Sequence, residues 1–431
     1  VQLYTRALRG EAGPEQVLRA LAARARRRGA PPPAALTGDW FGGSAVLAPS
    51  VRIVPVGRER AFSALDDLPE VAGPDGPAPE GAVGGGWVGF LGYDLGADGQ
   101  LPPAAWGWAD HVLRRDREDQ WWFESLGEPD PQLVGELADL VTGAHGPRRT
   151  WTAGPVAPPD AERHRKAVSA CVEEIAAGEI FQANICSRFR LPFDGDPVEV
   201  FAAGSERFHP ARAAYVAGGW GAVASLSPEL FLARAGAVAR SCPIKGTLPR
   251  RGARDDANAQ RLRRSTKDVA ENVMIVDMAR NDLGRVAEPG KVTTPHLLDV
   301  QPHPGVWHLV SEVRAELPDG TSHADLLRAT YPPASVTGTP KVRALEIIDE
   351  LEDQPREVYC GAVGMVSPAA GLQLNVAIRT LECTAGTVQF GVGGGITADS
   401  DPEGEWQECL TKAAPLLSLL EGQPRAASTA S

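Results

Sequence analysis

Residues 361–397 read GAVGMVSPAAGLQLNVAIRTLECTAGTVQFGVGGGIT. The runs GAVGMVSP, GLQLNVAIRTLEC and TVQFGVGGGIT predict strands, punctuated by Gly, Pro and Ala-Gly turns. Working outward, an acid-rich helix follows over Asp401–Leu420, and a helix over about Lys341–Leu351 precedes. Further upstream the pattern predicts a charged helix from about Asp255 to Asp282 and strands in AAYVAGG and AVASLSPELFLAR. An amphipathic helix over about Ala161–Ala177 is expected to end at Gly178 in a left-handed cap. Strands and helices come in blocks without strict alternation, which predicts an α+β fold rather than a doubly wound sheet.

Residues 1 to about 155 alternate apolar runs such as VLAPSVRIVPV and GGWVGFLGYDLG with Gly and Pro clusters, favouring strands and turns. WTAGPVAPPD (151–160) reads as a linker. The expected division is an amino-terminal half over 1–155, a carboxy-terminal half over 156–423 and a disordered tail over 424–431. No internal repeat is present.

The 431 residues suffice for a large core, and 47 glycines with 37 prolines favour many turns over long helices. A formal charge of -12 excludes nucleic-acid binding through bulk electrostatics. The run Arg24-Ala-Arg26-Arg27-Arg28 closes the helical pattern EQVLRALAARARRR, where cations suit the carboxyl end of the helix dipole, and predicts a solvated helix end. No stretch is apolar enough to span a membrane, and VQLYTRALRGE lacks the layout of a secretory signal, so a cytoplasmic protein is expected. Six cysteines without CxxC pairs read as free thiols.

On the closing helix, Glu405, Glu408 and Lys412 recur at offsets of three and four, which places them on one face. Alone, such a set reads as a solvated salt-bridge ladder. The stretch GVGGGITADSDPEGE, which enters that helix, puts exposed backbone amides beside the acids, a setting for an anionic ligand. Glu271 lies in DVAENVMIVDMARNDLGR, on a helix expected to bury Val273, Met274 and Val276. Clustered carboxylates repel unless a cation intervenes, and hard oxygen ligands without a His or Cys cluster point to Mg2+ rather than zinc.

Lys245, in SCPIKGTLPR, is expected at a strand end turning into a loop. A surface lysine is the commoner case, but desolvation in this setting would lower its pKa and free the amine to attack carbon. Glu229, sixteen positions earlier, is within reach across two antiparallel strands and has the chemistry of a general acid. Gly84, Gly86 and Gly89 match G-x-G-x-x-G without a following helix, which argues against a dinucleotide site. His308, taken alone, reads as a satisfied core histidine.

In order along the chain, SLSPE, PIKGT, ENVMIVDMARNDLGR, SVTGTPKVRALEIIDELE, GAVGMVSP, IRT and GGGITADSDPEGEWQE resemble the chorismate-utilising synthases: component I of aminodeoxychorismate and anthranilate synthases, with isochorismate and salicylate synthases as relatives. The strongest likeness covers roughly 160–415. The resemblance implies two packed antiparallel sheets flanked by helices, with the active site in the carboxy-terminal half. It implies Mg2+ held by Glu271, Glu405 and Glu408, and chorismate surrounded by Gln182, His308, Ser335, Thr337, Arg379, Gly393, Gly394 and Lys412.

Within that family the lysine of PIKGT marks the branch that aminates chorismate at the para position, where other branches typically carry alanine. The implied roles are Lys245 as nucleophile and Glu229 as proton donor. Gln182 stands where isochorismate-forming relatives have a lysine base, which favours ammonia over water. Cys242 before PIKGT and Thr339 in TGTPK depart from the commoner arginine and alanine. No glutaminase signature is present, so ammonia is expected from a separate glutamine amidotransferase subunit. The rival expectations are an anthranilate synthase large subunit and a chorismate-binding subunit without catalysis.

Overall fold

In the strand Arg212–Gly218, Ala213, Tyr215 and Ala217 point into one hydrophobic cluster and Ala214 and Val216 into another. Side chains alternate across a strand, so both faces of this sheet are covered. The computed structural model describes residues 1–421 apart from 74–78, 97–98, 144–145, 147 and 251. The expected disordered tail, 424–431, lies outside the described residues.

Twelve strands form the larger sheet, in the order Leu3–Leu8, Trp121–Leu126, His111–Asp116, Gly43–Ala48, Ala34–Trp40, Arg212–Gly218, Gly221–Ser227, Thr380–Thr384, Thr387–Ile396, Gln182–Asp194 and Gly338–Thr339, with Thr152–Ala153 also paired to Gln182–Asp194. Ten form the smaller: Ile244–Arg250, Gly305–Glu316, Val238–Cys242, Leu230–Ala235, Gly371–Val376, Ala362–Ser367, Gly86–Leu91, Ala104–Ala109 and Val54–Val56, with Val292–His303 also on Gly305–Glu316. The strands pair antiparallel throughout both sheets, as the α+β expectation required. Both sheets run unbroken from amino-terminal to carboxy-terminal strands: Ala34–Trp40 pairs with Arg212–Gly218, and Gly86–Leu91 with Ala362–Ser367.

The sheets face each other across a core to which Leu36, Val46, Val216 and Val223 contribute from the larger and Val88, Phe90, Val363 and Met365 from the smaller. The outer face of the larger sheet is covered by helices that bury Leu18, Leu21, Leu137, Phe201 and Leu416. Val276, Leu283, Leu326 and Leu327 cover the outer face of the smaller one.

Several expectations need correction. The charged helix predicted over Asp255–Asp282 is two helices, Asp256–Arg264 and Thr266–Gly284. Ser265 breaks the run because its side chain accepts from Asp268 N, capping the second helix. On that second helix Val276 is buried as expected, but Val273 is 44% exposed, and the buried stripe runs through Asn272, Ile275, Val276 and Ala279. GLQLNVAIRTLEC and AVASLSPELFLAR each split into two strands that belong to different sheets.

The linker reading of 151–160 also fails: Thr152–Ala153 pairs with Phe193 and Asp194, and Ala157 with Arg190. Among its described residues the amino-terminal region holds two α-helices, Pro14–Arg28 and Pro131–Thr142, of which only the first was legible. The basic helix end is not merely solvated, since buried Arg24 donates twice to Glu136, each at 2.9 Å, and Arg26 pairs with Asp196. No helix of the described residues is long and apolar enough to cross a membrane.

Candidate active site

Two crossovers between the sheets run side by side. Ser227, Pro228 and Glu229 carry the chain from Gly221–Ser227 to Leu230–Ala235, and Ala377, Ile378 and Arg379 carry it back from Gly371–Val376 to Thr380–Thr384. Backbone bonds stitch them together, from Val376 N to Glu229 O and from Leu226 N to Arg379 O, both at 3.0 Å. Arg379 has a φ of 50°, a left-handed conformation costly for a residue with a Cβ and one that active sites tend to retain.

Glu229 is 4% exposed. Burial raises its pKa to about 7, against the opposing influence of Ser335, Lys245 and the Ile244 backbone. The Ser335 hydroxyl is close enough to favour the ionised carboxyl, yet it makes no hydrogen bond of ordinary geometry.

Lys245 sits inside the strand Ile244–Arg250 and not in a loop. The register against Gly305–Glu316 slips between Ile244↔Val310 and Thr247↔His308, so Lys245 and Gly246 form a bulge, with Gly246 at φ 89°. A bulge re-aims a side chain, here toward the carboxylates. Part of the residue's surface stays open, but the amine is enclosed: desolvation lowers its pKa, Lys412 adds to the lowering, and Glu271, Glu229 and Glu408 oppose it. One bulge-flanking pair bonds through side chains, Thr247 Oγ1 to His308 Nδ1 at 2.9 Å. Desolvation, His303 and Arg379 push the His308 pKa down to about 3, so this ring is neutral at physiological pH. Arg379 is lowered by desolvation as well, and it has no ion-paired carboxylate among the described residues.

The strand Thr387–Ile396 carries Gly393, Gly394 and Gly395 just before its end, against the closing helix Pro402–Leu420. Trp406, Cys409, Ala413 and Leu416 anchor that helix in the core, leaving Glu405, Glu408 and Lys412 on the neighbouring stripe. A Cβ at Gly394 would lie 3.0 Å from Glu405 Oε2 and 3.8 Å from both Glu408 Oε1 and Lys412 Nζ, so the three meet over this glycine. Lys412 donates to Gly393 O at 2.7 Å and pairs with Glu408 at 2.7 Å.

Gly395 faces the other way. A Cβ there would lie 2.2 Å from Gln182 Nε2 and 3.6 Å from Lys245 Nζ. Gly395→Ala is therefore expected to displace Gln182 from beside the lysine and to lower turnover on the order of 10- to 100-fold with folding intact, as steady-state kinetics would show. A variant with wild-type turnover would mean that Gln182 has no part in the chemistry.

The acids expected to hold a metal do not converge as a ready cluster, and the described residues contain no group of three His, Cys, Asp or Glu poised for an ion. Each carboxylate has turned to a partner on its own segment. Glu405 accepts from Ser400 Oγ at 2.7 Å, Glu408 pairs with Lys412, and Glu271 lies 3.9 Å from Lys267. Repulsion explains the dispersal: burial raises the Glu271 pKa, with Asp268 and Glu408 adding to the rise against Lys245 and Lys267. Burial would raise Glu408 too, but Lys412, Lys267 and Lys245 outweigh it and hold that carboxyl below its usual range. The donor set, all carboxylate oxygen, fits a hard divalent ion once these side chains rotate.

Thr337, expected to contact the substrate, also shapes the backbone beside it. Its hydroxyl donates to Pro333 O at 3.2 Å and Ala334 O at 3.1 Å, closing the turn that presents Ser335. Two positioning residues were missed, although both lie in quoted motifs. Lys341 Nζ pairs with Asp282 at 2.5 Å and donates to Pro332 O at 2.9 Å, which fastens the Ser335 turn to the helix that carries Glu271. A desolvated amine, a carboxyl with its pKa raised to about 7 and an exposed guanidinium with no ion-paired carboxylate among the described residues together suit a small dianion with an electrophilic carbon.

The sequence profile of the chorismate binding enzymes matches residues 46–418. Over 358 residues the chain is 38% identical to the aminodeoxychorismate synthase component 1 of Klebsiella aerogenes, covering 80% of this chain and 79% of that protein. The anthranilate synthase component 1 of Streptomyces coelicolor is 37% identical over 68% of this chain and 57% of its own length. Among solved structures, the menaquinone-specific isochorismate synthase of Escherichia coli superposes with a TM-score of 0.75 at 20% identity, over 97% of this chain and 94% of that one. The anthranilate synthase component I of Streptococcus pneumoniae reaches 0.71 at 24% identity, over 83% and 84%. These two likenesses establish the fold of two packed antiparallel sheets with flanking helices.

Proposed function

The chain belongs to the chorismate binding enzyme family, and from that premise we propose that it is a chorismate-aminating enzyme that places nitrogen para to the ring carboxylate. Relatives that are 38% identical over four-fifths of the chain are aminodeoxychorismate synthase component 1 subunits. The observation that carries the para assignment is Lys245: a desolvated amine, aimed by a bulge, between Glu229 and Glu271.

Arg379 and Lys412 bind the two carboxylates of chorismate, and neutral His308 lines the ring. Lys245 Nζ forms a bond to ring C2 while the double bonds shift and the 4-hydroxyl leaves as water, taking the Glu229 proton. The adduct's ammonium then returns a proton to Glu229. Ammonia then forms the N–C4 bond as the C2–Nζ bond breaks, and Nζ keeps that electron pair and takes the proton back from Glu229, which regenerates the neutral lysine and leaves the new amine protonated. Glu271, Glu405 and Glu408 would hold Mg2+, which when bound neutralises the acids together with the ring carboxylate. A component 1 subunit works with a partner, and we take the partner here to be a separate glutamine amidotransferase subunit that supplies ammonia.

The test is incubation of the purified chain with chorismate, Mg2+ and ammonium chloride. Chorismate consumption should depend on ammonium, and para-aminobenzoate should form once an aminodeoxychorismate lyase is added. Blue anthranilate fluorescence without the lyase would sink the para assignment in favour of ortho amination.

A further inference from the structure

The strand Gly338–Thr339 covers only Gln182 and Ala183 along one edge of the strand Gln182–Asp194. Beyond it two side chains take over the pairing. Arg356 Nη2 donates to Asn184 O, and Glu352 Oε1 accepts from Cys186 N at 2.8 Å. The same guanidinium reaches the turn that carries Ser335, where Nη1 donates to Val336 O at 2.8 Å. Glu352, just past the helix Lys341–Leu351, holds the fork from its other side, accepting from Nε at 2.8 Å and from Nη2 at 2.6 Å. The amino-terminal half fixes it from a third: the Tyr93 ring lies 4.4 Å from the guanidinium carbon, and Asp94 Oδ2 accepts from Arg356 N at 3.1 Å. Arg356 is 2% exposed, and burying such a pair costs desolvation that largely offsets its attraction. What a planar fork committed to three segments supplies is geometry.

We propose that Arg356, clasped by Glu352, is a positioning residue of the active site: it holds the Ser335 turn against the Gln182–Asp194 strand and thereby sets where the Ser335 hydroxyl stands relative to Glu229. The role of Glu229 in this inference rests on the amination reading above. Ser335 favours the ionised form of that carboxyl, and burial, Lys245 and the Ile244 backbone are the other influences on it. Neither Arg356 nor Glu352 is among them, so the clasp reaches Glu229 only through the turn. Two ties hold turn to strand, Asn184 N to Thr337 O at 2.8 Å and the guanidinium bridge from Val336 O to Asn184 O. Only the bridge holds the residue next to Ser335.

The experiment is titration of Glu229 in the full chain, read from the protonated-carboxyl band in infrared difference spectra against Glu229→Gln, beside the pH dependence of turnover. Arg356→Lys keeps the charge but loses the planar fork, so it cannot bridge the two carbonyls and Glu352 together. The turn should loosen, the hydroxyl should withdraw its support from the ionised form, and the carboxyl should hold its proton to higher pH than in the wild type. Turnover should fall on the order of 10- to 100-fold, the cost of a small displacement of reacting groups, and its alkaline decline should move to higher pH. Ser335→Ala should shift the carboxyl the same way, and the double variant should titrate like Ser335→Ala alone, because both changes remove one influence. Glu352→Gln loosens the same clasp, should shift the carboxyl in the same direction, and serves if the lysine variant does not fold. A wild-type titration in Arg356→Lys or in Ser335→Ala, or shifts that add fully in the double variant, would overturn the proposal. The infrared titration needs no turnover, so a wild-type chain that forms no aminated product overturns the amination reading while the titration still decides the clasp.

Discussion

Lys245→Ala is expected to abolish amination of chorismate while leaving chorismate affinity within about an order of magnitude, because the amine acts in the transition state rather than in ground-state binding. The groups proposed to bind the substrate's carboxylates are Arg379 and Lys412, and the substitution leaves both side chains in place. Removing Lys245 takes away a cation that Glu271 and Glu229 both feel, since each carboxyl is lowered by it. Their pKa values should therefore rise in the variant, and binding should weaken modestly at most. Binding calorimetry beside turnover measurements separates the two effects. Unchanged para turnover in the variant would refute covalent catalysis by this lysine.

Glu229→Gln is expected to lower turnover by about 10²- to 10⁴-fold, the usual range for loss of a general acid. Its pH behaviour distinguishes that role from a structural one. Burial raises the carboxyl pKa to about 7, so the proton to be donated is present below pH 7 and is lost as pH rises through it. Lys245 runs the opposite way: its pKa is lowered, and the neutral amine increases as pH rises through that lowered value. The glutamate should make the wild-type rate fall as pH rises through about 7, while the fraction of neutral Lys245, which grows with pH, works against that fall. In the glutamine variant the alkaline fall should vanish. If that fall persists, the titrating group is not Glu229.

How much of this was legible in the sequence depended on whether the information was local. The strand Ala362–Ser367 and the helix Lys341–Leu351 are readable because apolar periodicity and turn residues are local signals. The switch of GLQLNVAIRTLEC from one sheet to the other at Ala377–Arg379 was not readable, since an apolar run is the same whichever sheet it joins. For the same reason Pro131–Thr142 was missed amid strands, although Asp130 caps it and Pro131 opens it.

At the site, motif order singled out Lys245, Glu229 and Arg379, but the bulge that aims Lys245 comes from a register slip against a strand some sixty residues away. Gly393 and Gly394 were chosen from the GGG run, whereas Gly395, which lies against Gln182 and Lys245, was passed over. Thr339 was noticed only as a departure from the usual motif. Its place opposite Gln182 is a fact of pairing that spacing along the chain does not reveal. The three acids were correctly put on two helices, yet their present partners, Lys267 for Glu271, Lys412 for Glu408 and the Ser400 hydroxyl for Glu405, are facts of the folded chain.

Placement of nitrogen at the para position is tested most directly by mass spectrometry of the products. Purified chain with chorismate, Mg2+ and ammonium is predicted to accumulate 4-amino-4-deoxychorismate, and the product should disappear when ammonium is omitted. Anthranilate, or isochorismate formed without ammonium, would contradict the account.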